Sequence, residues 1–332
     1  MKRFIPFLFL LGIIISCQSP SHDSKLEKPK YVLVIHGGAG NIPKDLPDSL
    51  ANAYHAGLNE ALMAGEKILA NGGSALDAVQ KAVEIMEINP LFNAGRGAVY
   101  NAHGKQEMDA SIMDGKSLNA GAVAGVGRIK SPIQAARMVM DSSNHLMFSG
   151  HGAEVFAGSM GLEMADSAYF WSERRYKSLL KAQGKLSSMD WFWEDKKFGT
   201  VGAVALDQNG ELAAATSTGG MTNKKYGRIG DSPIIGAGTY ADSRFCAVSC
   251  TGRGEDFIKL GIARDLSAMM EYAGVNLHDA AHENIHIRLA KLQGSGGLIA
   301  LDREGNIAMP FNTSGMFRGQ VISGKERETF IH

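Results

Sequence analysis

A threonine hydroxyl is a weak nucleophile unless a base stands beside it, and the stretch Phe198-Gly-Thr-Val-Gly-Ala-Val-Ala-Leu-Asp207 suggests one way to supply that base. If the chain is cut between Gly199 and Thr200, Thr200 becomes a first residue. Its own α-amine, with an ordinary pKa of about 7.7–8, then serves as the base. The preceding segment, Lys185–Lys197, is polar, charged and without period, which suits a surface loop that such a cut would leave as a terminus. Val201, Val204 and Leu206 fit a buried strand, Asn209-Gly210 closes it, and Glu211–Gly220 returns as a second strand that places Thr218 near Thr200. Spacing alone describes an ordinary core hairpin equally well.

Other stretches imitate chemistry. His282-Glu-Asn-Ile-His286 has the His-Glu-x-x-His spacing of a zinc peptidase, with His278 one turn earlier. Against that reading, Ala281, Ile285, Leu289 and Leu292 form the apolar stripe, which turns the histidines toward solvent, and no third-ligand helix follows. Gly236-Ala-Gly-Thr-Tyr-Ala241 has the outline of a dinucleotide turn but leads into a strand rather than a helix. His36-Gly-Gly-Ala-Gly40 lacks the Gly-x-Ser-x-Gly elbow that an esterase oxyanion loop needs, and reads as a structural turn after the strand Tyr31–Ile35. Cys246 and Cys250 fall on one strand, about 13 Å apart at about 3.3 Å per residue, too far for a disulfide.

The elements that must position these residues are legible in outline. Apolar residues at helical spacing mark Leu50–Leu69 (Leu58, Leu62, Met63, Leu69) and Ser74–Glu87 (Leu76, Val79, Val83, Met86), with Ser74 as cap and Asp77 three later. Glu107–Gly115 and Ala120–Arg128 read as a hairpin; Pro132–Met140, the residues after Gly150 and Ser172–Ala182 read as helices. Ile234–Gly238 and Phe245–Cys250 read as strands. Thr251-Gly-Arg-Gly-Glu255 opens a helix to about Tyr272, its amides facing an incoming anion. Leu298–Leu301 and a last strand, Ile307–Asn312, close the chain. The 332 residues, 45% hydrophobic, suffice for a sizeable core, and a formal net charge of zero with no dense basic run argues against nucleic acid.

Gly199-Thr-Val-Gly-Ala-Val204, Thr216-Ser-Thr-Gly-Gly220 and Gly227-Arg-Ile-Gly-Asp-Ser-Pro233 closely resemble the plant-type asparaginase/isoaspartyl peptidase family of self-cleaving N-terminal-nucleophile hydrolases. Asn89-Pro-Leu-Phe-Asn-Ala-Gly-Arg-Gly97 and Asn312-Thr-Ser-Gly-Met316 extend the resemblance over about residues 31–320. It implies an α+β fold, a four-layer α-β-β-α sandwich, in one domain over 31–332, cut into 18–199 and 200–332. It also implies Thr200 as nucleophile, with Thr218 orienting its hydroxyl or assisting proton transfer. The substrate class it implies is asparagine or a β-aspartyl (isoaspartyl) dipeptide, whose free α-ammonium and α-carboxylate need one anion and one cation. Asp231 and Arg228 fill those roles, Thr251 and the Gly252 amide the oxyanion site, Gly254 keeps the turn open, and Asn93 stands near the nucleophile. The resemblance implies no cofactor for catalysis. A structural sodium ion is implied on the backbone of Met86, Glu87, Asn89, Phe92, Ala94 and Arg96, as is a dimer of cleaved protomers. Gly rather than Asp before Thr200 departs from glycosylasparaginases, leaving glycoasparagine as the alternative substrate and a non-catalytic aspartyl-peptide binder as the alternative class.

The leader is separate from this. Lys2-Arg3, the apolar run Phe4–Ile15 and Ser16-Cys17 resemble a bacterial lipoprotein signal over residues 1–17, with Cys17 lipidated. Residues 18–30 read as a tether, which places the expected enzyme in the periplasm or cell envelope, held to the membrane only by its lipid.

Overall fold

A computed structural model describes Met1, residues 28–186 and residues 199–332. The leader with Cys17, most of the tether and most of the segment before Thr200 lie outside the described residues.

Two antiparallel-dominated sheets stack face to face between helices. The first half of the chain supplies β1 (Val32–Gly40), α1 (Asp48–Ala70), α2 (Ala75–Ile88), β2 (Met108–Asp114), β3 (Ala120–Val126), α3 (Pro132–Ser142), β4 (Met147–Ser149), α4 (Gly150–Ser159) and α5 (Glu173–Ala182). After Thr200 come β5 (Val201–Leu206), β6 (Leu212–Thr218), β7 (Thr239–Asp242), β8 (Cys246–Gly252), α6 (Gly254–Leu260), α7 (Ile262–Ala273), α8 (Leu277–His282), β9 (Gly296–Asp302), β10 (Ile307–Ala308), β11 (Gly315–Ile322) and β12 (Glu328–Phe330). The larger sheet runs β12-β11-β1-β5-β6-β2-β3-β4 and the smaller β10-β9-β8-β7.

The period-2 alternation of each strand divides its side chains between two apolar layers. On β1, Leu33 and Ile35 meet Leu58, Leu62, Val79 and Val83 of α1 and α2, while Val32 and Val34 face the other sheet. On β5, Val201, Ala203 and Ala205 take the helix side; Val204 and Leu206 join Ile299 and Leu301 of β9 between the sheets. On β8, Cys246, Val248 and Cys250 turn to Phe257, Ile262 and Leu266 of α6 and α7. The result is the four-layer α-β-β-α sandwich. Both of these cysteines are free and buried, and burial pushes the Cys246 thiol up to about 12, so it behaves as a small apolar group.

Several boundaries differ from the sequence reading. His36–Gly40 is not a turn but the second half of β1, with a bulge between His36 and Gly38. Ile234–Gly238 is turn rather than strand, tied by Ile234 N–H and Ala237 N–H bonds to Asp231 and Ile234 carbonyls. The helix after Thr251 breaks at Gly261, whose φ of +59° ends α6 and starts α7. Ile307–Asn312 keeps only the two-residue β10, and it is not last: β11 follows and pairs with β1 along its length. Met63 and Leu292, placed on apolar stripes by spacing, are exposed.

No helix among the described residues is long and apolar enough to cross a membrane.

Candidate active site

Thr200 stands at the head of β5, in the middle of the larger sheet and buried, on the face that looks at the smaller sheet. The hairpin register sets its neighbour. Val201 pairs with Ser217 and Gly202 with Thr216, so Thr218 arrives beside Thr200, and the Thr200 hydroxyl donates to Thr218 Oγ1 at 3.2 Å. Thr218 Oγ1 also accepts the Gly220 N–H at 3.0 Å, and Ser232 Oγ lies 3.4 Å from the Thr200 hydroxyl.

His36 lies beneath. Its Nδ1 is 3.0 Å from the Thr200 carbonyl and its Nε2 3.0 Å from Ser249 Oγ. Burial holds the imidazole down at about 3, so it is neutral at any ordinary pH. A carbonyl can only accept, which puts the single ring proton on Nδ1 and makes Nε2 the acceptor for Ser249. Behind Ser249 the hydroxyls continue: Thr239 donates to Thr216 at 2.5 Å and Thr216 to Ser249 at 2.7 Å, while Ser111 Oγ, 2.8 Å from Thr239, gives its own proton to the Ser232 carbonyl at 2.6 Å. A directed chain of buried donors thus ends on the carbonyl of Thr200. Gly202 makes room for it, because a Cβ there would fall 2.4 Å from His36 Nε2 and 2.0 Å from Ser249 Oγ.

The bond before Thr200 is equally enclosed. Gly38, at φ +112° in the β1 bulge, lies against Gly199; a side chain on it would meet the Gly199 backbone at 2.7–2.9 Å. Thr251 Oγ1 accepts the Ala39 N–H at 3.2 Å and would lie 2.3 Å from a Cβ on Gly199.

A cavity of about 780 Å³ opens over this pair, and Thr200, Thr218, Asn93, Arg228, Asp231 and Gly252 all line it. Asn93 holds the turn above Thr218: its Nδ2 donates to the Gly220 carbonyl at 2.9 Å and its Oδ1 accepts the Val99 N–H at 3.0 Å. Arg228 reaches the cavity with its fork engaged, Nε and Nη2 each 2.9 Å from the Glu255 carboxylate. That pairing draws Glu255 down to about 2. Asp231 is buried, its Oδ2 has no hydrogen-bond partner, and burial pushes its carboxyl up to about 7. Arg228 pulls it down again only in part. Gly254 does not touch the cavity but backs both groups; a Cβ there would lie 2.8 Å from Asp231 Oδ1 and 2.9 Å from Arg228 Nη2. A hydroxyl, a guanidinium and an unsatisfied buried carboxyl therefore converge on one space.

The family model described as Asparaginase matches residues 29–331. The chain belongs to the asparaginase family. It is similar to the isoaspartyl peptidase of Salmonella typhimurium, 49% identical over 309 residues that cover 91% of this chain and 99% of that one. The Escherichia coli isoaspartyl peptidase is 48% identical over 314 residues (91% and 96%), and the mouse isoaspartyl peptidase/L-asparaginase 44% identical over 295 (89% and 89%).

In this asparaginase-family chain the sequence reading brought together Thr200, Thr218, Asn93, Arg228, Asp231 and Gly252, with Thr251 and Gly254 directly behind them. It missed His36, treated as part of a structural turn, and Ser232, Ser249, Thr216 and Glu255. The signal for Thr216 was present: it sits two residues before Thr218 and so shares its face. Nothing local marks His36, whose contact with Thr200 spans 164 residues.

Met86, Glu87, Asn89, Phe92, Ala94 and Arg96 lie where α2 ends and a tight loop folds back through a 3₁₀ turn at Gly95–Gly97. A Cβ on Gly95 would come within 2.4 Å of the Glu87 carbonyl oxygen, and one on Gly97 within 2.0 Å of the Phe92 carbonyl oxygen, so only glycine fits beside each of these oxygens. His278, His282 and His286 are exposed, Glu283 pairs with Arg288 at 3.3 Å, and no group of three or more metal-ligating side chains occurs among the described residues.

Proposed function

We propose that this chain hydrolyses L-asparagine and β-aspartyl dipeptides with Thr200 as nucleophile, after cutting itself between Gly199 and Thr200 into 18–199 and 200–332. The observation that carries this reading is the Thr200 hydroxyl, hydrogen-bonded to Thr218 at 3.2 Å inside a cavity that also presents Arg228 and Asp231.

In the first step the Thr200 hydroxyl attacks the Gly199 carbonyl carbon. The acyl group passes from nitrogen to oxygen, and water then opens the ester, giving a Gly199 carboxylate and a free Thr200 amine. In the second the amine takes the hydroxyl proton while Oγ attacks the side-chain carbonyl of the substrate. The proton passes to the departing ammonia or peptide amine, a β-aspartyl ester remains on Thr200, and water releases aspartate. Arg228, held in orientation by Glu255, meets the substrate carboxylate; Asp231, ionised, meets its ammonium. The Thr251 hydroxyl and Gly252 N–H support the oxyanion, each such donor being worth about 3 kcal/mol. His36 stays neutral and fixes the Thr200 backbone rather than moving protons.

The loop of Met86, Glu87, Asn89, Phe92, Ala94 and Arg96 is a fitting place for a structural sodium ion, because backbone carbonyl oxygens are hard donors that suit a hard cation, and Gly95 and Gly97 leave the Glu87 and Phe92 oxygens uncovered by side chains. Such an ion would be held by those carbonyl oxygens and brace the loop that carries Asn93. Lipidation at Cys17, a cell-envelope location and pairing of two cleaved protomers complete the proposal, on the leader residues and the family resemblance.

The test is direct: purified protein is incubated separately with asparagine and with β-aspartyl-leucine, alongside Thr200→Ala. Aspartate release that depends on Thr200 supports the reading. Binding without release would make the chain an aspartyl-peptide binder, and faster release from glycosylated asparagine would reassign the substrate.

A further inference from the structure

Behind the Thr218–Gly220 turn lies a pair of opposite charges that the reaction as derived does not use. Asp109 on β2 stands opposite Thr218 in the sheet register and is fully buried. Lys224 Nζ is 3.9 Å from Asp109 Oδ2, the two side chains being 1% and 0% exposed. The ammonium donates to the Glu107 carbonyl at 2.7 Å. Asp109 Oδ1 accepts the Gly125 N–H at 2.8 Å, whereas Oδ2 has no hydrogen bond and lies 3.9 Å from the ammonium. Burial pushes the carboxyl up and the ammonium down, and each charge pulls the other back toward its ionised form. Glu107 and Arg228 also act on both, and the Asp109 carboxylate in turn pushes the Asp231 carboxyl up.

A buried ion pair is a poor route to stability, since desolvation offsets most of the attraction. Its position offers a reason for it. Nζ is pressed under Gly220: a Cβ on that residue, at φ +77°, would lie 2.9 Å from it. Gly220 donates its N–H to Thr218 Oγ1 and accepts Asn93 Nδ2 on its carbonyl. The Lys224 backbone is fixed too, its N–H on the Met221 carbonyl at 3.2 Å and its carbonyl on the Ala102 N–H at 2.8 Å. Arg228 follows four residues later, its N–H on the Lys225 carbonyl at 3.0 Å.

We propose that Asp109 and Lys224 are positioning residues: the ammonium, anchored by the carboxylate, props the Gly220 turn and so fixes the Thr218 hydroxyl against Thr200 and Arg228 at the cavity. The inference rests on the reading of Thr200 as nucleophile. Thr218 Oγ1 receives both the Thr200 proton and the Gly220 N–H, so a shift of the turn by a few tenths of an ångström loosens the contact at the reacting atom. Misorientation of that kind lowers kcat more than it raises KM.

The experiment uses the full chain, with Lys224→Met, Asp109→Asn and the double variant assayed on β-aspartyl-leucine next to the unaltered protein. Each single variant is expected to lose at least about tenfold in kcat with KM within about threefold. The double variant, with no unpaired buried charge, is expected to regain the thermal midpoint of the parent yet keep the kcat deficit. A double variant whose kcat returns to within about twofold of the parent would show that the pair only fills space, and overturns the inference. So does a double variant that stays destabilised and loses kcat and KM together, which assigns the pair to folding. If Lys224→Met does not fold, Asp109→Asn, which keeps the shape and the Gly125 bond, is judged by the same kcat and KM limits. An unaltered protein with no turnover would bring down the functional reading itself; an active parent with unaffected variants removes this inference alone.

Discussion

Asp231 is the residue at which activity and stability pull apart most sharply. Its carboxyl is buried, one oxygen has no partner, and burial lifts it from 3.8 to about 7. For an acid raised in the folded state, the folded chain holds a proton that the unfolded chain has released. Folding stability is therefore unimpaired below pH 3.8 and falls as pH climbs toward about 7, above which the loss is constant. The gap is worth about 4 kcal/mol, an order-of-magnitude ceiling. Asp231→Asn removes the ionisation and keeps the shape. Compared in an uncleaved Thr200→Ala background, it should raise the thermal midpoint by several degrees at pH 8, and the gain should vanish near pH 4. With Thr200 intact the same change deprives the substrate ammonium of its buried partner, and kcat/KM should drop roughly 30-fold to several thousand-fold. In the unaltered enzyme kcat/KM should rise with pH through about 7 as the carboxylate forms. Calorimetry at the two pH values and steady-state kinetics check both halves. An Asn variant no more stable than its parent at pH 8 would refute the claim that Asp231 is an unsatisfied buried acid.

Gly199→Ala places a methyl 2.3 Å from Thr251 Oγ1. It should slow self-cleavage sharply, seen as persisting uncut chain on a gel, without lowering the thermal midpoint comparably. Gly254→Ala pushes a methyl against Asp231 and Arg228 at 2.8–2.9 Å, so KM should rise by at least about tenfold while cleavage at Thr200 proceeds. Leu33→Ala, fully buried between β1 and the helices, should cost about 2–5 kcal/mol in urea unfolding and leave KM unchanged.

The sequence carried the hairpin because its information is local: alternating small apolar residues, an Asn-Gly turn, and threonines whose spacing fixes the register. Helix bounds were legible for the same reason, Ser74 capping α2 through its bond to the Asp77 N–H as its position suggests. What stayed hidden was long-range or irregular. β11 carries Gly315, Arg318 and Gly319 among Met316, Phe317 and Val321, which dilutes its alternation until β1 pairs with it. Gly261 was read through as helix because one glycine is tolerated there, and only its left-handed φ reveals the break. The roles of His36 and Glu255 depend on strands and helices meeting across the two sheets, and neither residue type advertises them. The resemblance supplied Arg228 and Asp231, and the geometry added what holds each: a bidentate carboxylate for one, burial with an unsatisfied oxygen for the other.

The central claim is that one threonine supplies both hydroxyl and base once the chain opens before it. Mass spectrometry of the purified protein, with sequencing of any fragment termini, tests this most directly. The account predicts a fragment beginning at Thr200 whose appearance parallels aspartate release and which Thr200→Ala never yields. Full turnover of β-aspartyl-leucine by a chain that remains uncut would contradict it.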